Sequence, residues 1–158
     1  YKKYSPEYVL AEVCGIPYGV TGQMLEGGGD LYLGMLYAMN NRYGWGYTNA
    51  TLMYKIWDDF GIADSKMLGY WHSKNPAKTD NPNVLATVYL KNNEALLCLY
   101  NFSDKAEKFN LMIDKDLLGF DIKNTQEIRF GKRSKTIKNI NKTLKLGKRK
   151  GIIINLKG

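Results

Sequence analysis

Asn93–Phe120 reads NEALLCLYNFSDKAEKFNLMIDKDLLGF, and this stretch decides the fold. Its first half alternates and then runs apolar through Leu96, Leu97, Cys98, Leu99 and Tyr100. It breaks at Asn101-Phe102-Ser103-Asp104 and resumes as a second alternating run. Period-two alternation bounded by Asn, Ser and Asp is a strand signal, so the stretch predicts a hairpin-like pair of strands. DKDLLG, Asp114–Gly119, predicts a short helical turn. Just upstream, VLATVYLK (Val84–Lys91) predicts a strand joined to Glu94 onward by a tight turn at Asn92-Asn93. Downstream, TQEIRF, TLKL and GIIINL continue the pattern. About six to eight short strands at this spacing indicate an antiparallel sandwich.

The first seventy or so residues follow a different grammar. PEYVLAEVCGIPYGVTG (6–22) places Pro6 at a helix start and ends in glycines. The loop QMLEGGGD (23–30) precedes LYLGMLYAMNNRYG, which Asp30 is placed to cap as a helix. In ATLMYKIWDDFG, Leu52, Met53, Ile56, Trp57 and Phe60 share one broad helical face, and Gly61 takes the C-terminal stop position. The helix from Leu31 to Met39 has almost no polar face, and a helix apolar all round must be buried by something. Either it packs wholly on the sandwich, or its neighbours belong to protein upstream of this sequence; the second is expected. The chain opens without Met, at YKKYSPEYV, which points the same way. HSKNPAKTDNPN (72–83) reads as the linker between the two parts. Trp57 and Trp71 are assigned to the core.

Bulk properties narrow the class. At 158 residues a chain can bury about 70% of its unfolded surface, so no disulfide or metal is required to hold a core. No apolar run approaches the ~20 residues of a membrane-spanning helix. Cys14 and Cys98 both sit in apolar runs and read as buried thiols. With one His and no CxxC, no protein-built metal site and no cofactor is expected. The net charge of +8 is uneven: residues 1–100 carry eight Lys/Arg against nine Asp/Glu, residues 101–158 fifteen against six. The basic excess is densest in GKRSKTIKNINKTLKLGKRKG (131–151), which reads first as the solvated face and turns of an edge sheet. It contains no aromatic to stack bases, so nucleic acid is not expected as a partner.

As a series, PYGVTG, GGGDLYLGMLYAMNNRYGW, IWDDFGI, KMLGYW, VLATVYLKNNEALLCLYNFS and IDKDLLGF resemble the C-terminal region of large bacterial glycoside-hydrolase-like proteins. The relatives in question are glycoside hydrolase family 123 and its uncharacterised kin, and the likeness runs from about Ile16 to Phe120. The Lys-rich tail after Gly131 has no counterpart in it. The resemblance implies an α+β chain in which residues 1–71 correspond to the last strand and helices of a (β/α)8 barrel. Residues 72–83 then link to an antiparallel β-sandwich over 84–158, of the type that trails amylase-like barrels. It further implies a carbohydrate partner, polysaccharide or glycan, a secreted or periplasmic location, and contact with the upstream part of the same protein or with an oligomeric partner.

Glycosidases need two carboxylates at a defined separation. No residue of this chain stands out as a catalytic acid or nucleophile, and the resemblance places the pair upstream. Glu26 and Asp30 lie in a loop after an expected barrel strand, although Asp30 is more simply a helix cap and Glu26 a solvated carboxylate. Asp58 and Asp59 sit at a helix C-terminus and read as a buried salt bridge or an exposed helix end, and His72 as structural or exposed. Aromatic rings stack on pyranose faces, and Tyr18, Trp45 and Tyr47 lie in glycine-punctuated segments where loops are expected. Tyr18, Glu26, Asp30, Trp45 and Tyr47 are therefore the candidate substrate-binding residues. Two other readings compete: a stand-alone carbohydrate-binding module, and a basic interaction domain using the 131–151 lysines.

Overall fold

A computed structural model describes residues 4–13, 23–24, 30–41 and 49–158. The N-terminal part runs α1 (Pro6–Val13), β1 (Gln23–Met24), α2 (Leu31–Tyr37), β2 (Asn40–Asn41) and α3 (Thr51–Phe60). The strands β1 and β2 pair in parallel, with Gln23 opposite Asn40, so α2 is the crossover of a βαβ unit. Pro6 opens α1, where its missing N–H costs nothing. Asp30 caps α2, and Ala38 ends that helix in a left-handed conformation (φ 53°). Gly61 stops α3 with φ 69°, a conformation that costs glycine little.

The remaining chain is β3 (Lys66–Leu68), β4 (Ala77–Thr79), β5 (Val84–Lys91), β6 (Glu94–Asn101), β7 (Glu107–Phe109) and β8 (Leu111–Ile113). Then follow α4 (Lys115–Leu118), β9 (Asn124–Arg129), β10 (Lys132–Thr136), β11 (Leu144–Leu146) and β12 (Gly151–Lys157). Six of these strands form one antiparallel sheet in the order β10-β9-β12-β6-β5-β3. Asn92-Asn93 makes the expected tight turn, with Lys91 opposite Glu94. The ribbons β4–β8 and β11–β7, with α4, lie on one face of the sheet, and the helices α2 and α3 lie on the other.

Two cores result. Ala95, Leu97 and Leu99 of β6 and Ile154 and Leu156 of β12 pack with Ala77, Phe109, Leu111 and Leu146 in the sandwich core. Leu96, Cys98 and Tyr100, the alternate residues of β6, pack with Ile153, Tyr89 and the helices in the second core. A strand buried on both faces reads as a continuous apolar run, which is why the alternation fades over 95–100.

Several expectations change. The hairpin-like pair read in 93–120 is not a hairpin: β6 pairs with β5 and β12, whereas β7 pairs with β11 and β8 with β4. The second alternating run of that stretch is two strands because Asn110, between them, gives its N–H to the Asp80 carboxylate at 2.7 Å instead of to a ladder. The segment 72–83, read as a linker, is folded in: Asn75, Pro76 and Ala77 are buried, and β4 lies within it. The sheet itself begins ahead of that segment, with β3 at its edge.

The covering of α2 changes as well. Leu33, Met35, Leu36 and Met39 are at most 1% exposed, and they share a cluster with the chain's own Tyr89, Leu96, Cys98, Tyr100 and Ile153. The sheet of this chain, not absent protein, covers the helix. Burying four such side chains is worth about 1.5–3 kcal/mol each. Trp71, assigned to the core, is 38% exposed: its ring folds back over Gly69 and lies edge-on to Tyr70 at 4.9 Å. Trp57 is half-buried and packs against the second core, as assigned.

Polar groups are fitted into these cores with few losses. Asn101 is fully buried; it donates to the carbonyls of Lys105 (2.8 Å) and Gly147 (2.9 Å) and accepts from Ser103 N–H. Asn75 does the same for the carbonyls of Leu68, Gly69 and Ala86 while accepting from Ala77 N–H. Each amide satisfies backbone groups that a turn leaves unpaired.

Candidate functional site

Of the five candidate residues, Asp30 lies among the described residues; Tyr18, Glu26, Trp45 and Tyr47 lie outside them. Asp30 has extended backbone (φ −140°, ψ 115°), and its Oδ1 accepts from Tyr32 N–H at 3.0 Å and Leu33 N–H at 3.3 Å. That is the simple capping role. Its Oδ2 faces the Tyr100 hydroxyl of β6 at 3.5 Å. The sandwich therefore reaches the loop end of α2, where a barrel strand hands over to its helix.

The same end of α2 gathers residues that sequence reasoning missed. The ring of Tyr32 meets that of Phe130 edge-on at 4.9 Å, and Tyr100 meets Phe102 at 4.9 Å. Gly151 of β12 lies beneath Tyr32 so closely that an added Cβ would be 2.5 Å from the tyrosine Cβ. Glu127 and Arg129 pair at 3.3 Å on β9. Burial pushes the Tyr32 phenol above its ordinary range, reinforced by Cys98, Glu127 and Asp30, while Arg129 opposes. These contacts join residues dozens apart in sequence, and no local pattern marks them.

Other titratable groups are structural. Asp59 is exposed and paired with Lys55 at 3.0 Å, one helical turn away. The His72 ring accepts from Lys74 N–H. Cys98 is buried, its thiol pushed up by burial, and donates to the Tyr32 carbonyl at 3.2 Å. Among the described residues no group of three His, Cys, Asp or Glu side chains could hold a metal ion, and no helix is long and apolar enough to cross a membrane. An open hollow of about 970 Å³ lies at the far end of α3, lined by Asp64, Lys66, Lys91, Glu94 and Lys157 among others, with no aromatic ring in its wall. In the sandwich, Tyr89, Tyr100 and Phe109 are at most 2% exposed and present no face to a glycan.

A βαβ unit whose helix is roofed by a trailing antiparallel sandwich defines the closing part of a barrel with its C-terminal domain. Comparison with known proteins agrees. Residues 49–157 match the glycoside hydrolase 123 C-terminal domain, and residues 1–44 match the glycoside hydrolase 123 TIM-barrel domain. The chain belongs to the glycoside hydrolase 123 family. A solved structure of BuGH86wt in complex with neoagarooctaose aligns with TM-score 0.40 and 17% identity, over 49% of this chain and 14% of that one. At that TM-score it carries no weight for the fold or ligand of this chain. No curated protein matches.

Proposed function

We propose that residues 1–44 close a (β/α)8 catalytic barrel and that the sandwich behind them, whose sheet begins with β3, is a structural cap, in a protein that acts on a polysaccharide or glycan. One observation carries this reading. The last-turn carbonyls of α2, Met35 and Leu36, are taken up by Tyr89 and Thr87 of the sheet, so the sandwich finishes a helix that the βαβ unit leaves incomplete. The barrel match spans residues 1–44, against about 250 residues for a whole barrel. On this reading the catalytic carboxylates lie in the rest of the barrel, outside residues 1–158. Glu26, Asp30, Trp45 and Tyr47 fall in or beside the segments that follow β1 and β2, where a barrel builds its substrate cleft, while Tyr18 belongs to the segment that leads into β1. The role of the first four is to line that cleft. Family membership fits secretion or a periplasmic location.

The test is turnover of a panel of aryl glycosides by residues 1–158 and by the same chain preceded by its barrel. Hydrolysis is expected from the longer protein alone. Turnover by residues 1–158, abolished by Glu26→Gln, would overturn the assignment of the catalytic pair.

A further inference from the structure

We propose that the β9–β10 hairpin forms one wall of that cleft and binds an anionic substituent, carboxylate or sulfate, of the saccharide. This rests on the carbohydrate reading and extends it to a substrate class.

Position is the first ground. The helices α2 and α3 each follow a strand of the parallel pair, through residues 25–29 and 42–48. The first turn of α2 therefore lies toward the side where barrel strands end and substrates bind. The tip of the hairpin sits on both helices. Phe130 packs on Tyr32 of the first turn of α2 at 4.9 Å. Gly131, with φ 62°, lies so close to the first turn of α3 that an added Cβ would be 3.4 Å from a Leu52 methyl.

Charge is the second. Arg129, Lys132, Arg133 and Lys135 are all exposed on this hairpin. Glu127 holds Arg129 at 3.3 Å. Among the described residues no carboxylate lies within ion-pair distance of Lys132, Arg133 or Lys135. Other exposed lysines of the chain, Lys78, Lys108 and Lys145 among them, likewise have no acid partner among the described residues; what sets the hairpin apart is density, with four cations between Arg129 and Lys135 and Glu127 beside them. The turn thus carries a cluster of exposed cations at the cleft rim. Nucleic acid is the poorer fit, because the one aromatic of the hairpin, Phe130, is engaged with Tyr32 and no ring is left to stack on a base.

The experiment uses the intact protein, barrel included. It measures affinity for a sulfated and a carboxylated oligosaccharide beside their neutral counterpart, in wild type, the Lys132→Ala/Arg133→Ala double variant and Arg133→Lys. Wild type should prefer the charged saccharides. The double variant should lose about tenfold or more of that affinity with neutral binding unchanged, and Arg133→Lys should keep most of it. Binding of the neutral saccharide alone, or charged-saccharide affinity untouched by the double variant, overturns the hairpin proposal while leaving the carbohydrate reading intact. No saccharide binding at all overturns the carbohydrate reading itself. Duplex DNA or anionic vesicles bound more tightly than saccharide at physiological salt would assign the patch to those partners instead.

Discussion

The Tyr89 hydroxyl of β5 donates to the Met35 carbonyl in the last turn of α2, across 54 residues of sequence. The final four carbonyls of any helix lack intrahelical donors, and here the sheet supplies donors to two of them: Thr87 donates to Leu36 at 2.8 Å beside it. At the other end Tyr100 approaches the capping Asp30, and between them Cys98 reaches Tyr32. Alternate residues of two adjacent strands thus hold both ends of one helix.

Tyr89→Phe keeps the ring and removes only the hydroxyl, leaving a buried carbonyl short of a donor. The variant should lose about 1–3 kcal/mol, read as a lowered urea midpoint at unchanged slope. A loss below roughly half a kcal/mol would mean that the carbonyl is satisfied without Tyr89.

Asn101→Ala should cost more, about 2–4 kcal/mol, because it strands several backbone groups at once in a site with no solvent access. Chemical denaturation gives the figure directly. Stability within half a kcal/mol of wild type would show that water enters to replace the amide.

Gly151→Ala tests the contact between helix and sheet. The new methyl would sit 2.5 Å from the Tyr32 Cβ, a backbone-anchored atom that cannot swing away. Overpacking of this kind costs about 1–3 kcal/mol. Gly147→Ala, whose nearest neighbour is the Lys150 Cγ at 3.5 Å, is the control and should be nearly neutral. Equal effects from the two would remove Gly151 from the account.

Acid stability should depend on Glu94. Partial burial raises its pKa, but the Asn155 amide and the Lys157 and Lys91 ammonium groups outweigh that and hold it below the ordinary 4.5. A carboxylate depressed on folding contributes stability above its unfolded pKa and loses it as pH falls through the folded value. Wild type should therefore lose stability on acidification below about pH 4.5. Glu94→Gln should be the less stable protein at neutral pH and show a shallower decline in acid. Parallel pH curves for the two would contradict this.

How far the sequence could be read depends on the range of each interaction. Asn92-Asn93, the Asp30 cap, the Gly61 stop and the short helix after Asp114 rest on neighbours within four residues, and all four were legible. The family likeness placed the sandwich behind the end of a barrel. What the pattern could not show was set by distant partners. Asp80 interrupts the run at Asn110 from thirty residues away. The ring of Trp71 turns back over Gly69 and not into a core. The apolar circumference of α2 was evident, but a sequence carries no sign of which surface covers it. Of the candidate site, only the capping geometry of Asp30 could be read, because the clustering of Tyr32, Tyr100, Arg129 and Phe130 needs the sheet to bring them together.

Hydrogen exchange at the Gly34 and Met39 amides of the 158-residue chain tests the structural cap most directly. Both are bonded within the helix region, to the Asp30 and Gly34 carbonyls at 2.8 and 2.9 Å. If the sandwich holds α2, these amides exchange as slowly as those of β5 and β6, opening only when the sheet unfolds. Rapid exchange of α2 beside a protected sheet would contradict it.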